Sequence, residues 1–230
     1  MNYTELVTAV SDYTENTFET SEMNTFIEQA EQRIYNSVQF PSIRKNVTGQ
    51  TTTSNKYLQC PSDFLAVYSM AVVTDVTGGD INTGTYEYLL NKDVNFIRQA
   101  YPTPNDTGTP KYYALFGPRS DDETELSFIL GPTPDAQYYV ELHYYYYPES
   151  IVTAGTSWLG DNFDSVLLYG TLVEAYTFMK GETDMMQLYD GKYKEALQMA
   201  KRLGDGLERS DSYRSGQSRV APLPQNRGVV

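Results

Sequence analysis

Apolar residues recur at helical spacing at both ends of the chain and at a period near two in between. Tyr3, Leu6, Val7 and Val10 fall at i, i+3, i+4 and i+7, one face of a helix over residues 3–13. A polar stretch from Thr14 to Thr20 follows, and Ser21 reads as an N-cap with Glu22 in the first turn. Met23, Phe26, Ile27, Ala30, Ile34 and Val38 then form a second apolar stripe, which Pro41 is expected to stop. A short link between two amphipathic helices predicts an antiparallel hairpin.

From about residue 43 to 150 the pattern changes. Val47-Thr48 and Thr51-Thr52-Thr53 are β-branched, and 64–73, 86–90, 112–116 and 126–130 read as strands separated by Pro, Gly, Asn and Asp. The clearest alternation is 137–147. There Tyr138, Val140, Leu142, Tyr144 and Tyr146 share one face, and Tyr139, Glu141, His143, Tyr145 and Tyr147 share the other. The Val140/Leu142 face is expected to meet the core. One short helix interrupts the strands, with Asn91 as cap, Asp93 in its first turn, then Val94, Ile97 and Arg98, ending near Pro102.

Helical spacing returns over 161–180, where Phe163, Val166, Leu167, Gly170, Val173 and Thr177 form a stripe. Leu168, Leu172 and Tyr176 lie off that stripe, which predicts burial on more than one side, and Gly181 supplies a C-terminal stop. Thr183 can cap a last helix carrying Met186, Tyr189, Tyr193, Ala196, Leu197, Ala200 and Leu203, ended by Gly204 and Gly206. Beyond Ser210 no periodicity remains, and Pro222 and Pro224 bracket Leu223. The expected fold class is α+β. Terminal helical hairpins (1–42 and 158–206) form an α-helical bundle, 43–157 is a β-rich central insert, and 207–230 is an extended C-terminal tail.

Charge adds an asymmetry. The 230 residues carry 17 Lys+Arg against 30 Asp+Glu, a formal net charge of −13. Residues 1–40 hold seven acids and one base, a net of −6. Residues 206–230 hold Arg209, Arg214, Arg219 and Arg227 against Glu208 and Asp211, a net of +2. An acidic body argues against a broad grip on nucleic acid, which needs cations to displace counterions. Twenty-one tyrosines exceed what a core of this size requires. They suit tyrosines on both faces of a sheet, a large subunit interface built on Tyr144, Tyr145, Tyr146 and Tyr147, or a sugar-stacking surface. No run is long enough to span a membrane, and the N-terminus lacks a basic region followed by an apolar one, so no membrane segment and no secretory signal are expected.

Catalytic chemistry is sparse. A single histidine, His143, and a single cysteine, Cys60, cannot supply a Cys/His zinc site or an internal disulfide. A thiolate nucleophile at Cys60 would need His143 beside it. No Gly-x-Ser-x-Gly elbow, phosphate-binding Gly-x-x-x-x-Gly-Lys loop or Gly-x-Gly-x-x-Gly fingerprint occurs. Asp80 to Gly84 begins like a calcium loop but fails at its fifth, sixth and twelfth positions, so a turn between strands explains Gly78-Gly79-Asp80 better. The run Asp121-Asp122-Glu123 is the densest acidic cluster, and paired carboxylates for glycoside hydrolysis stay open. No cofactor, metal or catalytic residue is expected.

Several segments carry a resemblance: FIEQAEQRIYNSVQFPSIRKN (26–46), CPSDFLAVYSM (60–70), LLNKDVNFIRQAYP (89–102) and PKYYALFGPRS (110–120). To these are added WLGDNFDSVLLYGTLVEAYTFMKGE (158–182) and YRSGQSRV (213–220). In texture and element order, across nearly the whole chain, the sequence resembles the head-to-tail adaptor (connector) proteins of tailed bacteriophages, and is similar to the adaptor, or tail tubular protein A, of short-tailed phages. The resemblance implies a virion structural protein made in the host cytoplasm. Such proteins form a ring, commonly of twelve copies, that docks beneath the portal protein, extends the DNA channel and meets a tail nozzle or tube protein. Genomic DNA would pass without specific binding. By position after the last helix, Arg214, Gln217 and Arg219 would be the portal anchors. Two other classes remain: an outward-facing tail or receptor-binding module that stacks sugars on Tyr144–Tyr147, and a carboxylate-based glycan hydrolase.

Overall fold

The computed structural model describes residues 1–103, 105–119 and 122–208. Among these the chain is mixed α+β, with seven α-helices and two four-stranded sheets. In chain order the elements are α1 (Tyr3–Thr14), α2 (Thr20–Ser37), β1 (Arg44–Gln50), β2 (Tyr57–Gln59), β3 (Ala66–Thr74), β4 (Thr85–Tyr88) and β5 (Leu90–Asn91). Then come α3 (Val94–Ala100), β6 (Tyr112–Arg119), β7 (Asp122–Gly131), β8 (Tyr139–Tyr145), α4 (Ile151–Ala154), α5 (Trp158–Asn162), α6 (Asp164–Met179) and α7 (Thr183–Glu208).

Local chemistry moves several expected boundaries. Asn2 caps α1 through a reciprocal pair: its side chain accepts from the Glu5 N–H, and its own N–H donates to the Glu5 carboxylate, each at 2.9 Å. Glu19, not Ser21, is the cap position of α2: its N–H donates to the Glu22 carboxylate at 3.1 Å, and its backbone carbonyl accepts from the Glu22 N–H at 3.0 Å. That helix ends at Ser37, and Pro41 opens a short 3-10 turn instead of stopping it. Asp93, not Asn91, caps α3, accepting from the Asn95 N–H at 2.7 Å, and Asn91 belongs to β5. The helix expected over 161–180 is two helices. Phe163 leaves helical geometry (φ −140°, ψ 46°), with its ring against Phe40 and Trp158. Lys180, not Gly181, takes the left-handed conformation that ends α6. Gly181 is needed for space, because a Cβ there would lie 2.6 Å from the Tyr176 ring. Gly204 likewise does not stop α7, which runs on to Glu208; a Cβ there would press within 3.3 Å of Val38 and Gln39.

The chain divides into two compact units, Met1–Pro41 with Glu149–Val230, and Ser42–Pro148. In the first, α6 is apolar nearly all round, and α1, α2, α5 and α7 all pack on it. The core holds Leu6 and Val10 from α1, Phe26, Ile27, Ala30 and Ile34 from α2, Leu167, Leu172 and Ala175 from α6, and Tyr189, Tyr193 and Ala200 from α7. Thus α1 and α2 take α6 as their main partner rather than chiefly each other.

The second unit is a sandwich of two sheets, ordered β1-β8-β3-β4 and β2-β7-β6-β5. Every pairing is antiparallel except β5 with β6. Met70 and Val72 from β3 and Val140, Leu142 and Tyr144 from β8 meet Tyr113, Phe128 and Leu130 from β6 and β7. On the outer side of the second sheet α3 covers β6 and β7 through Ile97, Ala114 and Ile129. The turn between β3 and β4 includes Gly78 and Gly79, both with positive φ.

Candidate assembly surfaces

The alternation of β8 sorts the tyrosines expected at an interface. Tyr144 shares the inward face with Val140 and Leu142 and is 1% exposed. Its hydroxyl donates to Asp63 at 2.7 Å, and the other oxygen of that carboxylate accepts from Lys45 at 2.8 Å. Tyr144 is therefore a core residue and cannot meet a partner. Burial raises the Asp63 carboxyl, but the hydrogen bonds from Lys45 and Tyr144 outweigh it and hold the group below the usual carboxylate range. Burial and then the bond to Asp63 push the Tyr144 hydroxyl up. Tyr145 lies on the opposite face, half-buried; Tyr146 is half-buried with Lys45 over its ring, and Tyr147 is exposed.

The outward face of the first sheet carries a different set of aromatics. The strand register aligns Tyr145, His143, Glu141 and Tyr139 of β8 with Arg44, Asn46, Thr48 and Gln50 of β1. Opposite β3, Tyr88 and Tyr86 stand beside Ala71 and Val73. A register shift between Val67 and Ser69 turns Tyr68 onto the same face, where its ring meets Tyr145. The Arg44 guanidinium lies 4.7 Å from the Tyr68 ring and 5.6 Å from that of Tyr145. Tyr68 is 55% and Tyr88 64% exposed. Period two already put Tyr86 and Tyr88 on one side; only the register shows which side.

Candidate reactive groups are held apart or occupied. Cys60 is buried in the sandwich core with Leu142 and Tyr144, whereas His143 faces outward, so the sheet separates thiol from imidazole. The Asn46 amide donates to Glu141 at 2.9 Å and lies 3.1 Å from His143 Nε2. The Asp80 carboxylate accepts from the backbone and side chain of Asn82 and so closes a turn. Asp121 lies outside the described residues. Among the described residues no group of three or more His, Cys, Asp or Glu side chains could hold a metal ion.

In the helical unit, exposed Glu5, Asp12, Glu15, Glu19 and Glu28 make the surface of α1 and α2 acidic. The outer face of α7 carries exposed Leu188, Met199 and Leu203, while Lys192 and Lys194 of the same helix pair with Glu195 and Asp190. Glu31 is the exception among the acids, 3% exposed, with its carboxylate accepting from the Ile151 N–H at 3.0 Å at the start of α4. Burial raises its pKa against the opposing hydrogen bonds from Ser150 and Ile151. Its position between Ala30 and Ile34 on the α2 stripe was the signal available in the sequence. Tyr13, Tyr169 and Tyr176 surround Tyr189, whose hydroxyl is pushed up to about 12 by burial and the bond with Tyr176. No helix among the described residues is long and apolar enough to cross a membrane.

Arg214, Gln217 and Arg219 lie outside the described residues, as does the expected tail beyond Glu208. A sequence model of the family described as SU10 adaptor protein matches residues 1–222. No curated protein matches the chain.

Proposed function

The chain belongs to the SU10 adaptor protein family, and from that premise we propose that it is a ring-forming subunit joining the portal to the tail. Membership in this bacteriophage adaptor family makes it a structural virion protein that works with other head and tail proteins. The proposal goes further: copies assemble head-to-tail into a ring, twelve in number, that extends the DNA channel. The short-tailed-phage type of adaptor is the form proposed.

The observation that carries the self-assembly is the pairing of unlike surfaces within one unit. Acidic α1 and α2 and the apolar-studded face of α7 are different patches. Contact between different patches of identical subunits is heterologous, which closes into rings when the rotation allows. Exposed Leu188, Met199 and Leu203 supply apolar contact. The net charge of −13 lets DNA pass without sticking. Arg214, Gln217 and Arg219 are proposed to grip the portal, and the β-rich unit to meet the nozzle or tube protein. A second reading, a glycan-stacking surface, draws on exposed Tyr68 and Tyr88.

Native mass spectrometry and negative-stain imaging of the protein with purified portal test the main reading. A ring of twelve on the portal is expected, lost on Arg214→Glu with Arg219→Glu while the circular dichroism stays unchanged. A chain that remains monomeric beside the portal overturns it. Glycan-array binding removed by Tyr68→Ala and Tyr88→Ala would favour the second reading.

A further inference from the structure

One end of the helical unit is built from four helix ends. The residues joining α1 to α2 and those joining α6 to α7 lie together there. The Asn16 amide donates to the Met179 sulfur at 3.4 Å, and the Tyr176 hydroxyl donates to the Tyr13 carbonyl at 3.3 Å. Phe178 packs on Phe18 and Phe26, with ring centroids 6.4 and 5.2 Å away. Of these three rings only Phe26 is buried. Phe178 is 54% and Tyr13 47% exposed, and Phe18 and Met179 are half-buried. A lone exposed apolar residue is ordinary on a protein surface, but large ones gathered from two separate links mark a contact.

The charge around this apolar end has one sign. Glu15, Glu19, Glu182 and Asp184 are exposed there and Glu22 is half-buried, against Lys180 alone. Phenylalanine, tyrosine and methionine ringed by carboxylates are complementary to a segment that offers apolar anchors among lysines or arginines. Among the described residues no helix of eight or more residues carries a net positive charge, so the chain's own helices do not supply that segment. The arginines beyond Glu208 follow the opposite end of α7, about 39 Å away along its 26 residues, and two of them are proposed above for the portal.

We propose that this end of the helical unit docks a lysine- or arginine-rich segment with large apolar anchors, carried by another virion protein. The anchors cover Phe178, Tyr13 and Met179, and the cations meet Glu15, Glu19, Glu182 and Asp184. Glu5 and Glu28 stand about two turns away on α1 and α2, which leaves the sides of those helices for contact between copies.

Fluorescence anisotropy on the full chain tests it, with three labelled peptides as probes: an amphipathic Leu/Lys helix, its Leu/Glu counterpart, and an all-Lys peptide of the same charge as the first. The Leu/Lys peptide is expected to bind at least about tenfold tighter than the all-Lys peptide, and the Leu/Glu peptide not to bind. Glu15→Lys with Glu182→Lys should weaken the Leu/Lys complex at least about tenfold, as should Phe178→Ser, with circular dichroism unchanged. Glu28→Lys with Asp161→Lys alters the net charge equally, away from this end, and should leave the complex unchanged. Equal losses from the two charge pairs mean attraction to overall charge and overturn the proposal, as does all-Lys binding as tight as Leu/Lys. Tighter peptide binding on Arg209→Ser with Arg227→Ser gives the site to the chain's own tail and overturns the partner assigned here. The titration reads this site whether or not copies assemble, so failure of the ring and failure of this docking are separate results.

Discussion

The helical unit and the β unit solve the same problem with opposite geometries. The helical unit surrounds one apolar helix, α6, with four others, so its centre is sealed on nearly every side although its pieces come from residues 1–41 and from 149 onward. The β unit is continuous in sequence, yet a cleft of ≈ 480 Å³ beside Val47 and Gly49 opens into its core. A helix satisfies its own backbone hydrogen bonds, so a central helix can be wrapped completely. A sheet leaves two edges, and a sandwich is closed only if both are covered. The sealed unit is the one suited to carry load.

The largest effects should come from the two cores. Phe128→Ala removes a ring with no exposure that packs on Phe64 and Tyr113 and should cost about 3–5 kcal/mol. Leu167→Ala, at the sealed centre of α6, should cost about 2–5 kcal/mol. Denaturant titration followed by near- and far-ultraviolet circular dichroism measures both, and a loss below about 1 kcal/mol in either would contradict the packing described. Next comes overfilling. A Cβ at Gly170 would already lie 3.3 Å from Ala30 and Tyr193, so Gly170→Leu should cost about 1–3 kcal/mol, whereas a large side chain at Gly49, beside the open cleft, should cost far less.

Glu31 sharpens the comparison, since it is a charge inside the sealed unit. Glu31→Ala should lose about 1–3 kcal/mol by orphaning the Ile151 N–H. Its folded pKa is raised above 4.5, so the folded state binds the proton more tightly and wild-type stability falls as pH rises from the unfolded value through the folded one. Glu31→Gln keeps an acceptor and should flatten that slope in a series of melting temperatures against pH. A slope unchanged by the substitution would count against a buried carboxylate. The smallest effect belongs to Lys45 and Asp63. The lowered Asp63 pKa gives stability that is complete above about 3.8 and fades as pH falls through the folded value. Because Lys45 is half exposed, Lys45→Met should cost the least of these changes, with the acid limb of the stability profile shifted to higher pH.

Where burial repeats at a short period, the sequence revealed it. The inward face of β8, the stripes of α2 and α7, and the doubly buried character of α6 all followed from spacing. Four residues of α4 are too few to show a period, and the break at Phe163 is made by contacts with Phe40 and Trp158 that spacing cannot report. Gly181 and Gly204 differ from their expected role as helix stops because a glycine that relieves crowding looks the same in sequence as one that ends a helix. Among the candidate interface residues, alternation separated Tyr144 from Tyr145, but Tyr68 reaches the outer face only through a register shift.

The sequence by itself determined the α+β class, the charge asymmetry and the lack of a recognisable catalytic motif, because period, composition and motif are properties of residues near one another in the chain. The tertiary structure alone decided which face of each sheet is open, that Tyr144 is interior, that Glu31 is enclosed and that β1 is the outermost described strand of its sheet. These depend on which distant strands and helices lie together, and long-range pairing is set by the packing of the whole chain rather than by any local run of residues.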